Sequence, residues 1–140
     1  MRSRSVVSLG AIAVLVLCAG AGAAWGTSLL SWQKPPGPIA GRWAVPCPEM
    51  SEMSVEITVE GTKAVGRIAQ LGRGVARTYR EGEEILRLAA DDYGDWAGQL
   101  HVRGVSGAEH WDSVRFVATP TLLDAPMTTD SCFNHMARIQ

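Results

Sequence analysis

Gly41-Arg42-Trp43-Ala44-Val45-Pro46-Cys47 stands where a long uncharged N-terminal run gives way to a folded domain. A Gly-x-Trp that opens a first strand sets a bulky indole at one end of a small β-barrel. Cys47 follows closely enough to be tied to Cys132 near the far end of the chain. The first and last strands are then neighbours.

Downstream of this stretch, strand signals follow one another at spacings of about ten residues. Met53 to Glu60 alternates cleanly, with Val55, Ile57 and Val59 on one face and Glu56, Thr58 and Glu60 on the other. Gly61-Thr62 turns the chain into Lys63 to Leu71. Further strands are expected over Val75 to Arg80, Glu83 to Ala89, Asp95 to Arg103, Glu109 to Ala118, Thr121 to Ala125 and Asn134 to Ile139, separated by turns rich in Gly and Asp. A second Gly-x-Trp, Gly94-Asp95-Trp96, reads as the start of a mid-barrel strand. An open meander of this kind leaves reactive edges, so it is expected to close on itself. The expectation is an all-β fold, a small antiparallel up-and-down β-barrel of eight or nine strands over residues 39–140.

Upstream, Lys34-Pro35-Pro36-Gly37-Pro38 forms a short, stiff spacer over residues 34–38, because its prolines favour extended geometry and stop a helix. Residues 1–33 read as a membrane anchor or signal segment. Val6 to Trp32 carries no charge over 27 residues, and Arg2 and Arg4 precede it. As a transmembrane helix, that run is about 40 Å long, enough to cross a hydrocarbon core of about 30 Å. The flanking charges place the N-terminus inside and the domain on the outer, periplasmic or extracellular, side. The rival is a cleaved signal peptide ending at Ala21-Gly22-Ala23, which leaves the domain secreted. Trp25, Leu29, Leu30 and Trp32 continue the apolar run past that point and favour the anchor. Within it, Gly22 and Gly26 form a Gly-xxx-Gly spacing suited to a membrane-protein partner.

The domain carries 11 basic against 14 acidic side chains, a net of -3, with no basic stripe, so nucleic acid is not an expected partner. Gly is abundant at 15 and Lys occurs only twice, which suits strands and turns better than helices.

Gly41, Trp43 and Arg138 together resemble the lipocalin and fatty-acid-binding superfamily, the calycins. In that group the first strand starts with Gly-x-Trp, and an Arg on the last strand packs across the indole. The resemblance implies a barrel with Trp43 and Arg138 in structural roles. A lipocalin-like binder requires an interior cavity lined by residues such as Val55, Ile57, Leu86, Leu88 and Trp96. A barrel this short has the alternative of filling itself with Ile, Leu and Val side chains.

The strongest covalent expectation is a Cys47–Cys132 disulfide, because export favours oxidation. Cys18 lies in the apolar run and counts as a small residue there. His101, His110 and His135 show no metal-ligand spacing, and Asp91, Asp92 and Asp95 lack the alternation of a calcium loop. Glu109-His110-Trp111-Asp112 has no nucleophile nearby, and strand geometry puts His110 and Asp112 on one face, opposite Glu109 and Trp111. No catalytic residue, metal or cofactor is expected. The expected function is an exported, membrane-tethered, lipocalin-like domain that binds a small apolar ligand or lipid without catalysis. The alternative is an accessory or structural subunit capping the outer face of a membrane protein complex.

Overall fold

Eight antiparallel strands, each hydrogen-bonded to the next in sequence, close into a barrel when the last meets the first in the computed structural model of the chain. They are β1 (Gly41–Ala44), β2 (Ser54–Glu60), β3 (Lys63–Gln70), β4 (Glu84–Ala90), β5 (Trp96–Arg103), β6 (Glu109–Ala118), β7 (Leu122–Asp124) and β8 (His135–Arg138). The structure describes residues 34–48, 51–73, 78–104, 106–126 and 132–140. The chain divides into two units after Trp32, and the barrel belongs to the second, Gln33–Gln140. The expected N-terminal helix, its cleavage site and the Gly22/Gly26 spacing lie outside the described residues. Among the described residues, no helix is long and apolar enough to cross a membrane.

Alternation builds the wall. Val55 and Ile57 on β2 are buried while Glu56 and Thr58 face solvent. The same two-residue period continues on β6, where Val114 and Phe116 are buried and Arg115 and Val117 are not. Two irregularities interrupt it. Ala69 is an extra residue on β3 between the pairs Ser54↔Gln70 and Val55↔Ile68, and Ile85 is an extra residue on β4 between Arg67↔Glu84 and Gly66↔Leu86. Such bulges bend a strand and raise its twist, which helps a short barrel to close. At the second of them Ile85 and Leu86 are both fully buried.

The expected strand over Val75 to Arg80 is corrected where the structure describes it. Thr78 to Arg80 form no strand, and eight strands account for the barrel. Tyr79 turns inward instead, fully buried, its ring edge-on to Phe133 at 6.5 Å. Its hydroxyl accepts a hydrogen bond of 3.0 Å from the backbone N–H of Arg103. A buried tyrosine tip needs such a partner, and the packing replaces strand pairing as the anchor of this segment.

The seam between β1 and β8 is short, with only Trp43↔Arg138 and Ala44↔Ala137 in register. It is fastened at both ends. Beyond β1 and before β8, the Cys47–Cys132 disulfide joins residues 85 apart with a Cα–Cα distance of 5.0 Å. At the opposite end, the side chain of Arg138 holds the chain that leads into β1.

Candidate functional site

That lead-in, Lys34 to Ala40, is a strap lying across the end of the barrel opposite the disulfide. Its prolines remove backbone donors and leave carbonyls, and an extended strap cannot satisfy carbonyls internally. The barrel supplies the donors. The Trp96 Nε1–H donates to Gly37 O at 2.9 Å, Arg138 Nη2 to Pro38 O at 2.7 Å, Trp43 Nε1 to Ile39 O at 2.8 Å, and Arg138 Nη1 to Ala40 O at 2.6 Å. Four consecutive carbonyls are thus held by two indoles and one guanidinium. Arg138 also donates from Nε to Pro120 O at 2.7 Å, tying in the β6–β7 turn. The backbone N–H of Gly37 donates to Gly94 O at 3.0 Å.

Two glycines permit this closeness. A Cβ on Gly37 would meet the Ala118 carbonyl oxygen at 2.5 Å. A Cβ on Gly41 would meet Arg138 Nη1 at 2.5 Å, and its φ of 129° is one that L side chains rarely adopt. The Gly-x-Trp opening is therefore a physical requirement. Gly41 makes room for the guanidinium, which lies over the face of Trp43 with 4.3 Å from Cζ to the ring centroid.

Between the strap and the barrel rim is a groove of about 570 Å³. Pro36, Pro38, Ile39, Val59, Trp96 and Pro120 supply its walls, and among the described residues Arg138 is the one charged side chain that lines it. Val59 is 37% exposed at the rim, which explains an outlying apolar residue at the end of β2.

The structure brings the five residues expected to line a ligand cavity into one buried core. Val55, Ile57, Leu86 and Leu88 lie in one core with Trp43, Leu100, Phe116 and Met136. Leu86 is packed so closely on Gly66 that a Cβ there would meet it at 2.8 Å. Of the five, Trp96 also reaches the groove, as does the core residue Ile39. The strap residues and Pro120 were missed by pattern reading, because the acceptors are backbone carbonyls, which no side-chain motif announces.

A second cluster occupies the outer face of β4, β5 and β6. His101 is nearly buried, stacked on Trp111 at 4.9 Å between ring centroids, with Arg87 over that indole at 4.1 Å. Its ring nitrogens face Glu83 at 3.5 Å and Glu109 at 3.4 Å, and Arg103 bridges the same two carboxylates at 2.7 and 3.0 Å. Arg103 also donates to the carbonyl of Thr78. Arg103 holds both carboxylates, and the network fastens the Thr78–Glu83 segment to the wall. His110 and Asp112 do share a face, 3.2 Å apart and solvent-facing. Asp91 caps its own loop through the N–H groups of Tyr93 and Asp95, and Arg115 engages Asp91 and Asp95 at 2.7 and 3.1 Å. Among the described residues, no three His, Cys, Asp or Glu side chains are grouped to hold a metal ion.

Comparison with protein-family models, with curated proteins and with solved structures finds no match to this chain. The site defines the protein only as a closed eight-stranded antiparallel barrel with a strapped, apolar end.

Proposed function

We propose that this chain is an exported, membrane-tethered barrel of lipocalin-like type that binds a small apolar ligand or lipid tail without chemistry upon it. The observation that carries the reading is the groove of about 570 Å³ under the strap, a volume within the range of about 300–1,000 Å³ usual for small-molecule sites. Its apolar walls converge on one cationic group, the pattern of a binding pocket. The calycin resemblance gains support from the Trp43–Arg138 stack at 4.3 Å, which joins residues 95 positions apart. The disulfide supports export to an oxidising compartment. In a protein retained by its N-terminal run, the chain passes from Trp32 to the groove wall at Pro36 within four residues, so the groove is the part of the domain nearest in sequence to the bilayer anchor.

A second reading, an accessory subunit of a membrane assembly, is supported by a different surface. Val117 and Leu122 lie on β6 and β7 and Ile139 just past β8, at 43%, 51% and 43% exposure, with Leu122 paired to the exposed Ala137. That wall is suited to a protein partner, and none of these three side chains lines the groove.

The groove is tested by photolabelling the full chain in neutral detergent with a long-chain alcohol carrying a diazirine. Peptides containing Pro36–Ala40 and Pro120 are expected to take the label. Val59→Trp fills the rim from an already exposed position and is expected to reduce that labelling several-fold with the melting temperature unchanged. Equal labelling of the variant contradicts the assignment of the groove.

A further inference from the structure

We infer that the strapped end of the barrel seats on the outer leaflet of the bilayer, its rim of exposed apolar side chains lying where headgroups meet acyl chains; this rests on the chain being membrane-tethered. Single exposed apolar residues are ordinary on a protein surface, and what carries information is where they gather. Among the described residues, five large apolar side chains are exposed: Val59, Tyr93, Val117, Leu122 and Ile139. In this antiparallel barrel the even-numbered strands end where the odd-numbered strands begin. Val59 and Val117 are next to last on β2 and β6, Leu122 is first on β7, Ile139 follows the last residue of β8, and Tyr93 lies in the β4–β5 turn. All five therefore stand at the end that the strap crosses. The described parts of the connections at the disulfide end contribute none.

The reach of the chain selects the surface that meets this end. The uncharged run from Val6 ends at Trp32, and the strap begins at Lys34. Two extended residues span about 7 Å, while the headgroup layer on each side of a bilayer is roughly 5–8 Å thick. A strap that starts so soon after a membrane span cannot lift clear of the headgroups. It is also suited to them, because the carbonyls of Gly37, Pro38, Ile39 and Ala40 are already bonded and seating this end leaves few polar groups stranded. Tyr93, 71% exposed, has the apolar ring and polar tip that collect at membrane interfaces. Charges of both signs stand around the rim: Lys34 and Lys63, Glu60, and Arg115 paired with Asp91 and Asp95. The attraction is therefore apolar and does not depend on anionic lipid. A protein bound to the wall of Val117, Leu122 and Ile139 leaves Val59 and Tyr93 unexplained, whereas a planar bilayer meets all five together.

The full chain is reconstituted into phosphatidylcholine vesicles that carry a diazirine high on one acyl chain, photolabelled, and then washed in alkaline carbonate, with the labelled residues located by tandem mass spectrometry. Tyr93, Leu122 and Ile139, none of which lines the groove, are expected to label several-fold more than Glu81–Glu83 and Gly107–Glu109 at the opposite end. The double variant Tyr93→Ser/Leu122→Ser alters exposed positions and is expected to lower labelling at Ile139 several-fold with the melting temperature unchanged. Adding phosphatidylserine is expected to leave the pattern as it was. Rim residues that label no more than the opposite end overturn the seat, and a chain that then resists carbonate keeps its tether. Rim labelling of a chain that carbonate removes sustains the seat and contradicts the tether. Labelling that requires phosphatidylserine overturns the apolar basis. Labelling of Pro36–Ala40 without Tyr93 and Ile139 marks a lipid in the groove and overturns the seat.

Discussion

Trp43→Ala is expected to lower the unfolding free energy by about 3–5 kcal/mol, the cost of a large cavity where a fully buried indole stood. Three losses coincide at this position. The core loses its end plug, Ile39 O loses the indole donor, and the Arg138 guanidinium loses the ring beneath it. The cation–π contact alone accounts for about 0.5–2 kcal/mol. Arg138→Lys tests the second half of the arrangement. An ammonium cannot reproduce the planar contacts with Pro38, Ala40 and Pro120, so a loss smaller than that of Trp43→Ala but measurable is expected. Urea unfolding followed by near-ultraviolet circular dichroism measures both. A cost under about 1 kcal/mol for Trp43→Ala would mean that the site collapses and that the indole is not the plug of the barrel.

Removing the Cys47–Cys132 link is expected to cost as much as about 4–5 kcal/mol in the chain-entropy model, because the bond closes a loop spanning 85 residues. The effect should be concentrated at the β1–β8 seam, where only two residue pairs are in register. The double variant Cys47→Ala/Cys132→Ala is therefore expected to melt up to about 20 °C below the oxidised protein. A fall of only a few degrees would show that the strap and the Arg138 contacts close the seam unaided. The two fastenings act at opposite ends of the same strands, so losing both is expected to open the barrel along this line.

The wall of the barrel was legible in the sequence because its signal is local. Alternation placed Val55 and Ile57 inward on β2, and β6 begins and ends at the expected Glu109 and Ala118. The Gly41, Trp43 and Arg138 triad was legible only through the calycin resemblance, and in the structure each member needs a particular residue type: no Cβ, a broad ring, a planar cation. What resisted reading was set by tertiary context. The bulge at Ile85 puts two adjacent residues in the core, which breaks the period that a strand search relies on. Tyr79 belongs to the core through its ring and hydroxyl, although Thr78 to Arg80 pair with no strand. The proline-rich stretch was expected to act as a spacer, whereas it packs across the barrel end and forms a wall of the groove. Nothing in Pro35, Pro36 or Pro38 announces that their neighbours' carbonyls face two indoles and an arginine across the barrel. The groove was invisible for that reason, and all five residues expected to line a cavity lie in the core, of which Trp96 also reaches the groove.

The indole N–H groups give the most direct measurement of binding under the strap, because each reports a different part of the molecule. In the ¹⁵N-labelled full chain in neutral detergent, the Nε1–H of Trp96, which donates to Gly37 O, reports the groove wall, and the Nε1–H of Trp111 reports the outer face beside His101 and Arg87. Titration with palmitate is expected to move the Trp96 indole cross-peak to saturation and leave that of Trp111 in place. A Trp96 cross-peak that does not move, or one that moves no more than that of Trp111, would contradict the groove as the binding site.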